Sequence, residues 1–126
     1  GWKGAYHEII TTTLKKFESK GSNLKDLIAV IGPCISKKSY EVRKDFLNKF
    51  VKRERSNKKF FYKKKDKMYF SLNDYIKKDF LKYGVKNIEI IRKDTYLISN
   101  KFFSARRSTK NNLNDYGRNI SVIMIK

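Results

Sequence analysis

Two adjacent arginines near the end of the chain are the side chains best suited to bind an anion. Arg106 and Arg107 directly follow a short stretch at residues 102–105 that begins with two phenylalanines. The guanidinium group is a rigid fork of donors that matches a phosphate or a carboxylate, so the pair predicts an anion clamp. The alternative is an exposed charged turn. Arg118 would add a third guanidinium if the intervening polar loop folds back, which spacing alone does not decide.

A second candidate site lies where an apolar run stops. Residues 27–31 are all apolar, which predicts a strand buried on both faces, and Gly32 and Pro33 end it. Ligands of open α/β sheets collect at the carboxyl ends of strands, and Cys34 lies there. The alternative is a packing strand with a small buried thiol. We expect Ser39 or its neighbour to cap a helix that begins near residues 40–42.

The first residues and the lone histidine carry weaker indications. Residues 1–4, with two glycines, predict a turn that leads into a helix amino terminus, and such ends attract anions. His7 falls inside that helix. A metal site needs three or four ligands, and the chain holds no second His and only one Cys, so we expect His7 not to bind metal. No Gly-rich phosphate loop, carboxylate pair or nucleophile elbow is present in the sequence.

The apolar periodicity predicts alternating helices and strands. Helices are predicted over 6–17, 42–51 and 72–83, with Gly21 and Gly84 just after the first and third. Strands are predicted over 27–31, 68–70, 85–91 and 120–125, a loop or hairpin over 52–67, and a turn or short helix over 95–100. This alternation predicts a layered α/β (α+β) sandwich, in which helices cover a mixed sheet, within one domain over residues 1–126.

The composition is strongly basic. There are 31 Lys and Arg against 12 Asp and Glu, a net charge of +19. Much of this charge lies in the basic stretch at 37–67, and aromatic residues at 60–62, 69 and 70 accompany it. Such a pattern can follow phosphates and stack bases. However, Lys far outnumbers Arg and no nucleic-acid-binding motif is present, so we expect nucleic acid not to be the main partner. One Cys and no apolar run of about 20 residues favour a cytoplasmic protein without a membrane segment.

Five short stretches, in order, resemble the motifs of one family. They are residues 1–4, 31–35 with 40–42, 83–85, 102–107 and 117–118. Their order and spacing over the whole chain resemble the YfiH family, which is also called the laccase-domain or multicopper polyphenol oxidase family and the peptidoglycan editing factor family. Family members are credited with phosphorolysis of purine nucleosides and with deamination of adenosine, besides an older assignment as phenol oxidases.

The resemblance implies a CNF/YfiH-like sandwich with a metal-centred pocket that holds zinc rather than copper. The ligands of the family, a His, a Cys and a second His, would all precede Gly1. The chain would then be the carboxyl-terminal part of a laccase domain, and it would act beside a missing amino-terminal half. A metal-bound water would attack the purine ring in deamination, since a divalent cation lowers the pKa of bound water.

The resemblance also assigns roles within this chain. The guanidinium groups of Arg106 and Arg107, with Arg118, would hold phosphate against the sugar carbon. Trp2 would wall the base pocket, and Glu41 would fix a helix start rather than transfer protons. The remaining pocket motifs would be formed by Gly1, Gly4, Gly32, Pro33 and Cys34. Because several members lack the cysteine, we expect Cys34 not to be the nucleophile.

Some positions depart from the pattern of the family. They are Leu72 and Asn73, Asp94, Ala105 and Ser108. Three hypotheses therefore remain. The first is the carboxyl-terminal portion of a zinc-dependent purine nucleoside phosphorylase or adenosine deaminase. The second is a catalytically inactive, truncated remnant with the same fold, and the third is a basic nucleic-acid-binding module.

Overall fold

Helices cover two small sheets in the computed structural model, which describes residues 1–124. The helices are α1 (Trp2–Tyr6), α2 (Ile9–Ser19), α3 (Lys44–Arg53), α4 (Leu72–Lys82) and α5 (Ala105–Lys110). The strands are β1 (Ile28–Ile31), β2 (Glu41–Val42), β3 (Phe61–Lys64), β4 (Lys67–Phe70) and β5 (Asn87–Ile90). Short 3₁₀ turns occupy Leu24–Asp26, Arg55–Phe60 and Ile98–Asn100. The layered α/β class predicted from the sequence is confirmed.

The parallel and antiparallel strand pairings lie in separate sheets. Strands β1 and β5 are parallel, with Ile28 opposite Asn87 and Ile31 opposite Ile90. Strands β2, β4 and β3 form an antiparallel sheet in that order. The basic stretch at 52–67 contributes a 3₁₀ turn and the β3–β4 hairpin, as predicted. Lysines on β3, which is an edge strand, discourage pairing with another chain.

An aromatic cluster joins the antiparallel sheet to the helices on it. Phe50 of α3 has no exposed surface, and it lies at its centre. Its ring centroid is 5.0 Å from that of Phe70 on β4 and 5.1 Å from that of Tyr75 on α4. The rings of Trp2 and Tyr6 on α1 approach Phe50 at 6.4 and 5.1 Å. One side chain therefore connects α1, α3, α4 and the sheet.

A smaller apolar cluster supports the parallel sheet. Leu14 of α2, Ala29 of β1 and Val85 ahead of β5 are buried together. Gly21 and Gly84 have φ angles of +86° and +82° just after α2 and α4, where glycine is favoured, so both predicted helix ends are confirmed.

Strand β1 is buried on one face and exposed on the other, contrary to the sequence prediction. Ala29 and Ile31 are buried, whereas Ile28 and Val30 are 77% and 53% exposed. The apolar run fits a strand covered on both faces, but within residues 1–124 only one layer packs on it. An exposed apolar face of this kind is typical of a surface that another segment covers.

Four other predictions near the start and middle of the chain are wrong. Residues 2–6 form α1 rather than a turn, and Glu8, with a φ of +59°, separates α1 from α2 where one helix was predicted. Residues 41–42 form β2, because they pair with β4, and α3 begins only at Lys44. Arg43, rather than Ser39, precedes the first turn of α3.

The predicted terminal strand is also absent from the described residues. Ile120, Val122, Ile123 and Met124 are at least 80% exposed and have no strand pairing. Strand propensity needs a neighbouring edge to pair with, and no described segment offers one here. Ile125, the last residue of that prediction, lies outside the described residues. No helix in the described range is both long and apolar enough to cross a membrane.

We expect Phe50→Ala to lower the free energy of unfolding by about 3–5 kcal/mol, because it leaves a cavity among rings from four elements. The matched control is Phe17→Ala, since Phe17 is 46% exposed, and its effect should stay below about 1 kcal/mol. Denaturant unfolding of the parent protein and the two variants measures both effects. Similar losses for the two variants would contradict the central position of Phe50.

Candidate functional site

A cleft beyond the carboxyl end of β1 brings most of the predicted site residues together. This main cleft has a volume of about 490 Å³. The predicted residues in its wall are Gly1, Trp2, Pro33, Cys34, Arg106 and Arg118. Gly4, Gly32 and Arg107 do not line it. Residues that are far apart in sequence thus meet at one strand exit, as expected for an open α/β sheet.

Arg106 presents its guanidinium to the cleft from the exposed first turn of α5. Its Cζ atom lies 5.3 Å from the centroid of the Tyr40 ring, within cation–π range, and its Nη1 donates to the Glu41 carbonyl at 2.6 Å. Burial raises the pKa of Tyr40 to about 12, so the phenol stays neutral beneath the guanidinium. Stacking and one hydrogen bond fix Arg106, while its other donors remain available to a ligand.

Arg107 faces the protein interior instead. Its guanidinium donates to the carbonyls of Thr95, Tyr96 and Phe102 at 3.0, 2.9 and 2.6 Å. Three of the five donors of this side chain are therefore occupied by backbone. The structure does not bring the two guanidinium groups together as the predicted clamp, because successive helix residues point in different directions. Arg107 holds the 95–102 segment against α5.

Arg118 reaches the main cleft because the polar loop folds back. The Phe103 backbone N–H donates to the Asn119 Oδ1 at 3.0 Å, and the Asn119 Nδ2 donates to the Phe103 carbonyl at 2.9 Å. Gly117 packs so closely on the Phe103 ring that an added Cβ would lie 2.3 Å from it. Arg118 itself is exposed, and its Cζ atom lies 4.1 Å from the centroid of the Tyr116 ring. The polar loop before Arg118 therefore does fold back, a question that the sequence left open.

The aromatic wall of the main cleft is formed by Trp2, Phe103 and Tyr116. Trp2 is half-buried, with its indole 5.1 Å from the Phe46 ring, so one edge belongs to the aromatic cluster while the other lines the cleft. Gly4 lies within α1, and Gly32 directly follows β1. A Cβ on either would meet only ordinary contacts, so neither position requires glycine for space.

Cys34 is held as a protonated thiol. Its Sγ donates to the Asn73 Oδ1 at 2.8 Å. Burial, with a contribution from the Asp94 charge, raises the pKa of the Cys34 thiol to about 11. The thiolate is the nucleophilic form, so a protonated Cys34 is a poor nucleophile. The family resemblance led to the same expectation.

The buried carboxylate of Asp94 connects the loops of the site through hydrogen bonds. The sequence analysis did not assign this residue to the site. Asp94 accepts hydrogen bonds from the Ser36 N–H and hydroxyl at 3.1 and 2.5 Å, from the Ser39 hydroxyl at 2.6 Å, and from the Tyr96 N–H at 2.9 Å. Burial raises the pKa of Asp94, but these hydrogen bonds outweigh it and hold the pKa below its usual value. Nothing in the local sequence pairs residue 94 with residues 36–39.

Glu41 does not start a helix, contrary to the prediction. It lies on β2, and its carboxylate is paired with the Lys67 Nζ on β4 at 2.9 Å. His7 is exposed at the end of α1. Among residues 1–124, no group of three or more His, Cys, Asp or Glu side chains could hold a metal ion. These residues therefore do not fit a zinc site by themselves.

Comparison with known proteins decides the family. The family model described as multi-copper polyphenol oxidoreductase laccase matches residues 1–126. The chain belongs to this family. The structure also resembles the crystal structure of the hypothetical protein YfiH of Bacillus licheniformis, with a TM-score of 0.76 and 29% identity over 86% of this chain and 43% of that one. The resemblance read from the five sequence motifs is confirmed.

Relatives of this laccase-family chain carry the name purine nucleoside phosphorylase. One of Rickettsia conorii is 39% identical over 110 residues, which cover 86% of this chain and 45% of the relative. One of Rickettsia prowazekii is 36% identical over 128 aligned residues, which cover 100% of this chain and 52% of the relative. The chain thus spans about half the length of the curated relatives it matches.

We expect Asp94→Asn to lower the free energy of unfolding by about 2 kcal/mol at pH 7, since an amide cannot accept all four hydrogen bonds. A carboxylate whose pKa is lowered by folding stabilises the protein above its unfolded pKa, and this contribution disappears as the pH falls through the folded pKa. The difference between parent and variant should therefore shrink below about pH 4.

Chemical unfolding between pH 2 and pH 7 measures this difference. The exposed Asp26→Asn is the matched control, and it should follow the parent closely at every pH. A constant gap between Asp94→Asn and the parent over the whole range would contradict the role given to the Asp94 charge.

Proposed function

We propose that this chain supplies the carboxyl-terminal part of a purine nucleoside phosphorylase of the YfiH type, with adenosine deamination as a second activity. One observation carries the proposal: the main cleft combines two guanidinium groups with an aromatic wall. Arg106 and Arg118 provide the positive charge, and Trp2, Phe103 and Tyr116 provide the ring surfaces. A purine nucleoside and an inorganic phosphate offer the matching chemistry, since purines stack on aromatic rings and phosphate binds guanidinium.

In phosphorolysis, a phosphate oxygen forms a bond to the C1′ of the sugar while the bond from C1′ to the purine nitrogen breaks. The electron pair of the broken bond goes to the purine, which is then protonated. Arg106 is the residue that holds the attacking phosphate, because its free donors face the cleft and Tyr40 fixes its plane. A positive group held in place in this way stabilises charge that moves between phosphate and sugar in the transition state.

The proposed zinc dependence requires ligands from outside this chain, because the described residues contain no suitable cluster. The partner that would supply them is the amino-terminal half expected from the family resemblance. Two observations support such a partner. The chain covers 45% and 52% of the two rickettsial relatives, and Ile28 and Val30 form an exposed apolar face on β1. When bound, zinc would activate water for attack on a purine ring.

Turnover and metal content distinguish this proposal from the inactive remnant. We expect the product of the complete reading frame to contain zinc and to convert inosine, with phosphate present, and adenosine. The 126-residue chain alone should do neither, because half of the site is missing. Metal analysis and product chromatography of both proteins measure this. Absence of turnover and zinc from both would establish the remnant, and turnover by the short chain alone would contradict the placement of the site.

Arg106 and Arg107 should respond differently to substitution. We expect Arg106→Ala to lower the kcat/KM for phosphate by about 100-fold, since it removes a charged donor from the transition state, with partial recovery in Arg106→Lys. Arg107→Lys should instead lower the melting temperature, because the three donors of Lys share one nitrogen and cannot reproduce the spread of the guanidinium fork between the three carbonyls. Steady-state kinetics with varied phosphate and thermal unfolding separate the two effects.

The exposed Lys101→Ala is the matched control for the loss of one positive charge near the cleft, and it should change neither quantity. A normal phosphate dependence in Arg106→Ala, or a greater kinetic loss in Arg107→Lys than in Arg106→Ala, would overturn the assignment of phosphate to Arg106.

A further inference from the structure

A second depression adjoins the main cleft on the other side of Arg106. This side cleft, with a volume of about 680 Å³, lies between β2, the start of α3 and α5. Arg106 and Thr109 line both depressions. A ligand seated in the main cleft can therefore extend past Arg106 into the side cleft without leaving the protein surface.

The side cleft is positively charged. Its charged side chains are Glu41, Arg43, Asp45, Lys67, Arg106 and Lys110. Glu41 and Lys67 are paired with each other at 2.9 Å. That leaves Asp45 facing three positive groups, and Asp45 lies in the first turn of α3, where the helix dipole also compensates its charge. The net field in the side cleft therefore favours an anion.

Helix α5 aligns two of the positive groups. Arg106 and Lys110 are four residues apart, so they lie on the same face of the helix, one turn from each other. The Lys110 Nζ lies 5.9 Å from the centroid of the Tyr96 ring, and Arg43 is exposed at the amino end of α3. Together with Arg118 in the main cleft, which is ion-paired with Asp115 at 3.5 Å, these side chains form a series of cationic groups that continues from one depression into the other.

The two depressions differ in what they can bind. The main cleft offers the rings of Trp2, Phe103 and Tyr116, whereas the side cleft adds the charged groups of Arg43 and Lys110 beside the rings of Phe46 and Tyr96. We propose that the side cleft holds the 5′-phosphate of a purine nucleotide whose base and sugar occupy the main cleft, so that the substrate class is nucleoside monophosphates as well as nucleosides. This inference rests on the proposed function, because that function places the purine in the main cleft.

Direct binding tests the inference without relying on turnover. The probes are inosine 5′-monophosphate, inosine and inorganic phosphate, titrated by calorimetry into the product of the complete reading frame at 0.15 M salt. We expect the monophosphate to bind about tenfold more tightly than inosine. Arg43→Gln combined with Lys110→Gln should remove most of that tenfold difference and leave the affinity for inosine unchanged. Both side chains are exposed, so the double variant should fold normally.

The matched control is Lys16→Gln combined with Lys86→Gln, which removes two exposed positive charges far from both depressions. It should retain the preference for the monophosphate. Equal affinity of the parent for inosine and its monophosphate would overturn the inference. An equal loss of the monophosphate preference in the control variant would also overturn the inference, because the preference would then reflect the overall charge of the protein.

Inorganic phosphate distinguishes the two sources of the anion. Its binding should depend on Arg106 and not on Arg43 or Lys110. The same dependence for phosphate as for the monophosphate would make the side cleft a free-phosphate site and overturn the nucleotide assignment. Phosphorolysis of inosine without a monophosphate preference would leave the proposed function intact and remove this inference. A preference that depends on Arg43 and Lys110 without any turnover would support binding of the 5′-phosphate in the side cleft, but it would contradict the proposed function and the assignment of the monophosphate as a substrate.

Discussion

The packing of aromatic rings around Phe50 is the constraint on which the other parts of the structure depend. Its ring contacts the elements that carry both walls of the main cleft, since Trp2 on α1 and Tyr40 ahead of β2 belong to the same cluster. Aromatic rings bury a large apolar area in few residues, which suits a chain with 34% charged residues. The cluster therefore supports the fold and also forms the floor beneath Arg106.

Hydrogen bonds fix the loops that the aromatic cluster does not contact. Asp94 gathers the 36–39 turn and Tyr96, and Arg107 binds the carbonyls that follow, so the segments on either side of the cleft are held by one connected set of hydrogen bonds. Buried polar groups of this kind stabilise a structure only when all of them are paired. Arg106 is left free of this network, which is why it can face a ligand.

The exposed face of β1 is the feature that fits an incomplete sheet. Ile28 and Val30 sit beside buried Ala29 and Ile31, so the strand has the composition of a fully covered one and the surroundings of a half-covered one. The length of the relatives agrees with this, because the chain matches about half of each. A covering segment would stabilise the strand by removing that apolar surface from water.

The sequence by itself determined the family, the α/β class, the ends of helices at Gly21 and Gly84 and the strand exit at Gly32, because these depend on local periodicity, glycine conformation and motif order. Tertiary structure alone decided that residues 41–42 pair as a strand and that Arg107 serves the backbone while Arg106 faces the cleft. It also decided that residues 120–124 pair with no strand among residues 1–124. Each of these outcomes depends on contacts between segments far apart in the chain, and local residue patterns do not encode which distant neighbour is present.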